Sequence, residues 1–407
     1  MFKFQYFLPF FCYTMVVFSA DWPKFGGSNG TFFSEEKGLR SFWGNEEPEI
    51  LWKLDAGFGY SSIIESDGKA FTKGYNEGKI NLICVDVSIG KIIWKKAFPC
   101  PRGDNYFKGG SRSTPVIDGD NLFVLLHNGD FYCLDSQSGK ILWNVNVVED
   151  LGGTRPTWGF AASPMILGKK VILPIGGEKG GIIALDREQG EVLWRAGKYG
   201  ASYSTPFKSK KEDHIIIFHD SGLSIHDVGD GRELFTYPHK TRYGINASQP
   251  LEFGKNIFIS SAYGKGSALI DFSGKIPKTI WKTDKISAQM SSSILKEDHI
   301  YGIHGQAGGH SKFSTIFCLN ANSGRIAWQK KGYGLGSLIM VRETIIFLSE
   351  SGEIALIRAT PDKFEELASF QLLSGKDNWI PPSYANGRLH CRSSDGNWIC
   401  VKMGTDQ

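Results

Sequence analysis

One pattern recurs along this chain and limits what it can become. An apolar, a small and a second apolar residue lead into Asp, then a Gly, a charged residue and a Trp follow at fixed offsets. The copies read Ile83-Cys84-Val85-Asp86 with Gly90, Lys91 and Trp94, then Tyr132-Cys133-Leu134-Asp135 with Gly139, Lys140 and Trp143. Two more are Ile183-Ala184-Leu185-Asp186 with Gly190, Glu191 and Trp194, and Phe317-Cys318-Leu319-Asn320 with Gly324, Arg325 and Trp328. Weaker copies surround Asp227/Gly231/Phe235, Asp271/Gly274/Trp281 and Ile354-Ala355-Leu356 ahead of Phe370, and an isolated Trp52 stands at the front. The aromatic thus returns every ~40–50 residues, a period of β-rich repeats that means propeller blades.

Each unit makes physical sense. The segment before Asp is rich in β-branched and aromatic residues, so it is a strand. Asp opens a turn by accepting from backbone amides, and Gly supplies the positive φ that the turn needs. The charged residue starts the next strand on its wet side. The Trp is large enough to pack between neighbouring blades, and its N–H can find a backbone carbonyl. Two further strands precede each unit, as in Ser113-Thr114-Pro115-Val116-Ile117 followed by Asn121 to Leu126, with related starts at Ala162-Ser163-Pro164 and Ser204-Thr205-Pro206. Four strands per blade follow.

The ends of the chain complete the count. Residues near Ser383, Arg388–Cys391 and Trp398–Val401 supply three strands of a last blade, and the strand around Trp52 supplies its fourth. The expectation is an all-β, eight-bladed propeller over residues 49–407, its ring closed by the N-terminal strand so that no sheet edge is left open between first and last blades. Residues 21–48 precede it as an extension. Residues 1–20 read as a secretory leader: Lys3, an apolar run from Phe7 to Phe18, then Ser19 and Ala20 before Asp21. The run is short for a membrane span, so the expected product is periplasmic or secreted, with no transmembrane segment after leader removal, and monomeric. A net charge of +4 spread along the chain, with no Lys/Arg block, excludes an electrostatic case for nucleic acid.

These residues resemble the PQQ-like β-propeller family, which includes quinoprotein alcohol dehydrogenases and the outer-membrane assembly scaffold BamB. The opening Asp21-Trp22-Pro23-Lys24-Phe25-Gly26-Gly27, with Tyr203-Ser204-Thr205-Pro206 and Ser260-Ser261-Ala262-Tyr263-Gly264, looks like a secreted bacterial subfamily of such propellers. The BamB resemblance implies a non-enzymatic scaffold that docks a protein partner through loops, with Phe42-Trp43 and Asn105-Tyr106-Phe107 as candidate contacts. The dehydrogenase resemblance implies the alternative, an oxidoreductase using pyrroloquinoline quinone (PQQ) with calcium. Those enzymes hold the quinone beside adjacent cysteines, and none of the seven cysteines here is adjacent to another. Cys84, Cys133, Cys318 and Cys400 share one strand position, which other blades fill with Ala, so they read as small core residues. The reading is therefore no cofactor, no catalytic residue and a degenerate quinone site at most.

Other chemistry is thin. His304 and His310 bracket one loop but fall short of the three or four ligands that zinc takes. Gly26-Gly27-Ser28-Asn29-Gly30 matches the hydrolase elbow pattern without the strand and helix that expose its nucleophile. No metal site is expected. What remains is the central funnel. Residues just before each innermost strand should face the axis: Tyr60, Arg112, Trp158 or Phe160, Tyr203, Asn246, Gln289, Gly334 and Trp379. Aromatics with Arg, Asn and Gln suit a sugar ring, a peptide or a planar acid; the alternative is that they only fill the axis.

Overall fold

The computed structural model describes residues 20–404 apart from 44–45, 105, 211–212 and 309–310. Residues 1–19 of the expected leader, Asn105 and His310 therefore lie outside the described residues. Eight antiparallel sheets form the ring. Blade 1 comprises Ile64–Ser66, Lys69–Asn76, Lys79–Asp86 and Lys91–Pro99, ordered from the axis outward. Blades 2 to 7 repeat this arrangement, beginning at Val116, Met165, Phe207, Leu251, Ile294 and Gly336. Blade 8 is built from Ser383–Ala385, Arg388–Arg392 and Asn397–Lys402, and Ile50–Asp55 pairs with the last of these. The expected closure is present, and Trp52 lies opposite Cys400 in that pairing. No helix among the described residues is long and apolar enough to cross a membrane.

The repeat explains the seams between blades. The indole N–H of Trp94 donates to the Ser136 carbonyl of the next blade at 3.1 Å, that of Trp143 to Arg187 at 3.0 Å, and that of Trp281 to Ala321 at 2.8 Å. Trp52, Trp194 and Trp328 do the same toward Val87, Val228 and Thr360. The repeat Gly lies under the indole of the preceding blade. A Cβ on Gly139 would meet the Trp94 ring at 2.9 Å, and one on Gly190 the Trp143 ring at 2.6 Å. That Gly is therefore required twice, for its positive φ in the turn and for the room it leaves the ring. The Asp carboxylates accept turn amides as expected, for example Ser88 N to Asp86 at 2.9 Å.

At the closing seam a buried charge cluster joins blade 8 to blade 1. Glu65 accepts from Arg388 and from His390, the latter at 2.7 Å, and both Glu65 and His390 are fully buried. Burial alone would raise the Glu65 carboxyl, but the hydrogen bonds and charges of His390 and Arg388 outweigh it and hold it below the usual carboxylate range. Between blades 1 and 2, buried Lys73 donates to Ser113 O and Oγ and to Leu125 O, and desolvation lowers its ammonium to about 7.

The extension is not a tail. It crosses the axis at the end remote from the funnel mouth. Trp22 pairs with Glu65 in the inner strand of blade 1, Pro23 O accepts from Ile117 of blade 2, and Gly30 O accepts from Gln249 beside blade 5. Phe33–Ser34 then adds a parallel fifth strand to the inner edge of blade 7, and Glu36 accepts from the amides of Asn386 and Gly387 in blade 8. Beyond this, Trp43 is only 8% exposed and packs edge-on against Phe370, so it is core between blades 7 and 8. Its neighbour Phe42 is exposed, at 70%, whereas the burial of Trp43 removes it from the expected Phe42-Trp43 loop contact.

The axial funnel as candidate functional site

The Ser/Thr-Pro starts of the inner strands form a belt around the axis. Ser62 N donates to Thr114 Oγ1 at 3.1 Å, Thr114 N to Ser163 Oγ at 3.0 Å, and Ser163 N to Thr205 Oγ1 at 3.0 Å. Gln249 N continues the pattern to Ser292 Oγ at 3.1 Å. Side chains alternate along an extended chain, so the residue two before each belt position faces the axis. Tyr60, Arg112, Ala161, Tyr203, Ala247, Met290 and Trp379 do so, and all line one cavity of about 200 Å³.

Six of the eight expected funnel positions are brought together: Tyr60, Arg112, Trp158, Tyr203, Gln289 and Trp379. Between the two candidates left open by the sequence, Trp158 lines the cavity, while Phe160 is buried in the core between blades 2 and 3. Asn246 is one exception, although it stands three residues before Gln249 as Gln289 does before Ser292. It is 1% exposed, and its amide donates to the carbonyls of His219 at 2.7 Å and His239 at 2.9 Å while accepting from Ser261. It ties strand ends together and meets no ligand space; Ile245 and Ala247 flank the cavity instead. Gly334 is no wall either, since a Cβ there would meet Glu350.

Several wall residues escaped sequence reasoning. Phe25 of the extension closes the floor and stacks edge-on with Phe32 at 4.9 Å. Phe107, Tyr263, Met290 and Ala307 complete the sides. The opening motif that contains Phe25 was visible, but nothing in it pointed to the axis.

Inside, Tyr60 and Trp379 lie nearly parallel with centroids 6.0 Å apart, and the Arg112 guanidinium sits 5.3 Å over Tyr60. Arg112 is paired with buried Asp104 at 2.5 Å, so the funnel carries no net charge from them. The Tyr60 hydroxyl donates to Phe107 O at 2.9 Å. Gln289 spends both ends, donating to Tyr263 Oη at 2.7 Å and accepting from Ala307 N at 2.6 Å. Burial pushes the Tyr203 phenol up to about 12 and raises Tyr60 and Tyr263 as well, so all three stay protonated at neutral pH. The Trp379 indole N–H is buried and has no partner among the described residues.

The funnel does not fit PQQ with calcium. A planar acid with three carboxylates needs uncompensated cations, and Arg112 is already neutralised by Asp104. The cavity is smaller than the ~300–1,000 Å³ usual for small-molecule sites. Among the described residues no group of three or more His, Cys, Asp or Glu side chains converges to hold a metal. His304 Nδ1 accepts from Ser287 N at 3.0 Å, and Ser28 Oγ donates to Asp21 O at 2.6 Å within the extension, so neither is poised for chemistry. The cysteines of the described residues are all buried and unbonded to one another.

Comparison with known proteins places the geometry in context. A family model described as outer membrane protein assembly factor BamB matches residues 76–330. The chain is 26% identical over 212 residues to the protein of that name from Kangiella koreensis, covering 51% of this chain and 49% of the relative. It is 24% identical over 280 residues to that of Shewanella oneidensis, covering 65% and 67%. The chain thus spans about half to two thirds of the length of these relatives. Among solved structures, BamB from Moraxella catarrhalis superposes with a TM-score of 0.64 at 15% identity, covering 89% of this chain and 99% of that one. Quinohemoprotein alcohol dehydrogenase from Comamonas testosteroni superposes with 0.70 at 14% identity, covering 95% and 81%. At these identities the structural likenesses establish the propeller fold and no more.

Proposed function

This chain belongs to the family of the outer membrane protein assembly factor BamB, and from that premise we propose that it is an exported, non-enzymatic propeller that docks a protein partner in the cell envelope. The family match over residues 76–330 carries the reading. The charge-balanced, hydrogen-bonded funnel supports it by offering no reacting group. The mouth of the funnel is also suited to docking. Tyr106 is 63% exposed in the loop between blades 1 and 2, Tyr243 is 52% exposed between blades 4 and 5, and Phe313 is 58% exposed in a loop of blade 6. Exposed aromatics gathered on one face are a mark of protein interfaces.

Deleting the gene in its own host and measuring folded outer-membrane β-barrel proteins tests this reading. A fall in their amount is expected, and unchanged levels would overturn it. The quinone-dependent alternative has its own test, thermal unfolding of the protein with and without PQQ plus calcium. A ligand of the native state must raise the melting temperature; no shift is expected, and a saturable rise lost in Arg112→Ala would favour the dehydrogenase.

A further inference from the structure

The funnel is a socket with little unused hydrogen-bonding capacity. Tyr60, Gln289 and the Arg112–Asp104 pair are already engaged with protein partners. A sugar ring needs several directional partners and would leave its hydroxyls poorly matched here, at a cost for each one desolvated. A flat apolar group loses nothing by this and gains the aromatic walls. Trp379 Nε1 and Arg112 Nε add two unpartnered donors and Asp104 Oδ1 one acceptor, still few for the hydroxyls of a sugar ring. At about 200 Å³ the space takes a single ring, the size of one side chain.

One side of the mouth is basic. Arg242, Lys265, Lys285 and Lys312 lie in the mouth loops of blades 4 to 6, where Asp284 is the near counter-charge. None of the four makes an ion pair among the described residues. Lys265 and Lys285 line an open groove together with Lys282 and Arg325. Arg242 is joined to the socket, because it sits over Tyr243, Tyr243 packs edge-on to Tyr263 at 5.1 Å, and Tyr263 lines the funnel, while Gly264 and Lys265 beside Tyr263 begin the groove.

We infer that the funnel receives one aromatic side chain from an acidic, extended segment of the protein partner, with that segment's carboxylates lying on Arg242, Lys265 and Lys285. The inference rests on the docking reading above and adds the site and the chemistry of what docks. A buried aromatic anchor supplies most of the hold, and the charges orient the segment and speed its arrival.

The probe is a short synthetic peptide carrying one tryptophan between aspartates, titrated calorimetrically into the full chain. Saturable binding that weakens with salt is expected. It should fall at least tenfold when the tryptophan becomes alanine, when the aspartates become lysines, and in the protein variants Ala307→Trp, which fills the socket, and Arg242→Glu with Lys285→Glu, which reverses exposed charges without touching the core. Binding that survives Ala307→Trp, that ignores the loss of tryptophan, or that is absent from the wild type overturns the inference. So does binding of N-acetylglucosamine in place of the peptide, abolished by Ala307→Trp, which would make the funnel a sugar site. Cross-linking in the host envelope separates this from the wider reading. If Ala307→Trp captures the same partner as the wild type, the socket falls and docking stands; if neither captures a partner, docking itself falls.

Discussion

The seams between blades 2 and 3 and between blades 4 and 5 solve one packing problem with different residues. In the first, Trp143 lies on Gly190 and its N–H reaches Arg187 O. In the second, Phe235 stands in the Trp position, has no N–H to offer, and meets Phe272 edge-on at 5.9 Å. A cavity of about 260 Å³ remains there, lined by Phe235, Phe272 and the partnerless Asn256 side-chain oxygen. Between blades 6 and 7, where the turn of blade 7 has no Gly, Trp328 keeps its hydrogen bond and packs edge-on against Phe364 at 5.6 Å instead. Between blades 7 and 8 the repeat lacks its Trp and the extension lends Trp43 instead. The lesson is that the Trp and the Gly act as one contact shared by two blades. Losing either half leaves a void unless another segment fills it.

That comparison can be broken at its strongest points first. Trp43→Ala empties the borrowed contact and should cost about 4 kcal/mol in urea unfolding; a loss below ~1 kcal/mol would mean that the seam closes without it. Glu65→Gln attacks the closing seam, where charges as well as Trp52 hold blade 8 to blade 1. Removing one partner of this buried cluster should cost about 3 kcal/mol at neutral pH. Because the folded-state pKa of Glu65 is depressed, its contribution is present above the unfolded value and is lost as pH falls through the folded one. The gap between variant and wild type should therefore shrink below pH ~4; a gap constant with pH would remove the charge from the explanation. Gly190→Ala drives a Cβ into the Trp143 ring at positive φ and should cost about 2–3 kcal/mol. The matching Gly274→Ala, which has no ring above it and only Ile276 O at 3.8 Å, should stay within ~0.5 kcal/mol. Equal effects at the two glycines would refute the shared contact. The smallest effect is a gain: Phe235→Trp should fill the cavity and add up to ~1 kcal/mol, read as a rise in the urea midpoint.

The ring was legible because every blade writes its own turn and strand pattern within a few tens of residues, and because the last three strands lacked a fourth. Part of the funnel was legible too, since Tyr60, Arg112 and Tyr203 each sit two residues before a belt hydroxyl. Asn246 holds the same register position as Gln289, yet its amide is spent on the carbonyls of His219 and His239, a long-range pairing that repeat spacing does not show. Trp43 and Phe25 were out of reach for a related reason. Their contacts join the extension to blades far along the chain, as with the Ala20 amide and Asn386, and no periodicity marks such pairs. The belt of hydroxyls was visible as a motif, but its purpose emerges only when neighbouring blades stand side by side.

The placement of Phe25 bears on when the funnel comes into being. Blades are local structures and can form one after another, whereas the extension touches blades 1, 2, 5, 7 and 8. Closing so long a loop carries an entropic cost that local pairing does not, and the segment has no complete seat until the last blade is in place. An open or partly built ring would thus show walls without a floor, and the socket would be presented to a partner only by a molecule that has finished folding.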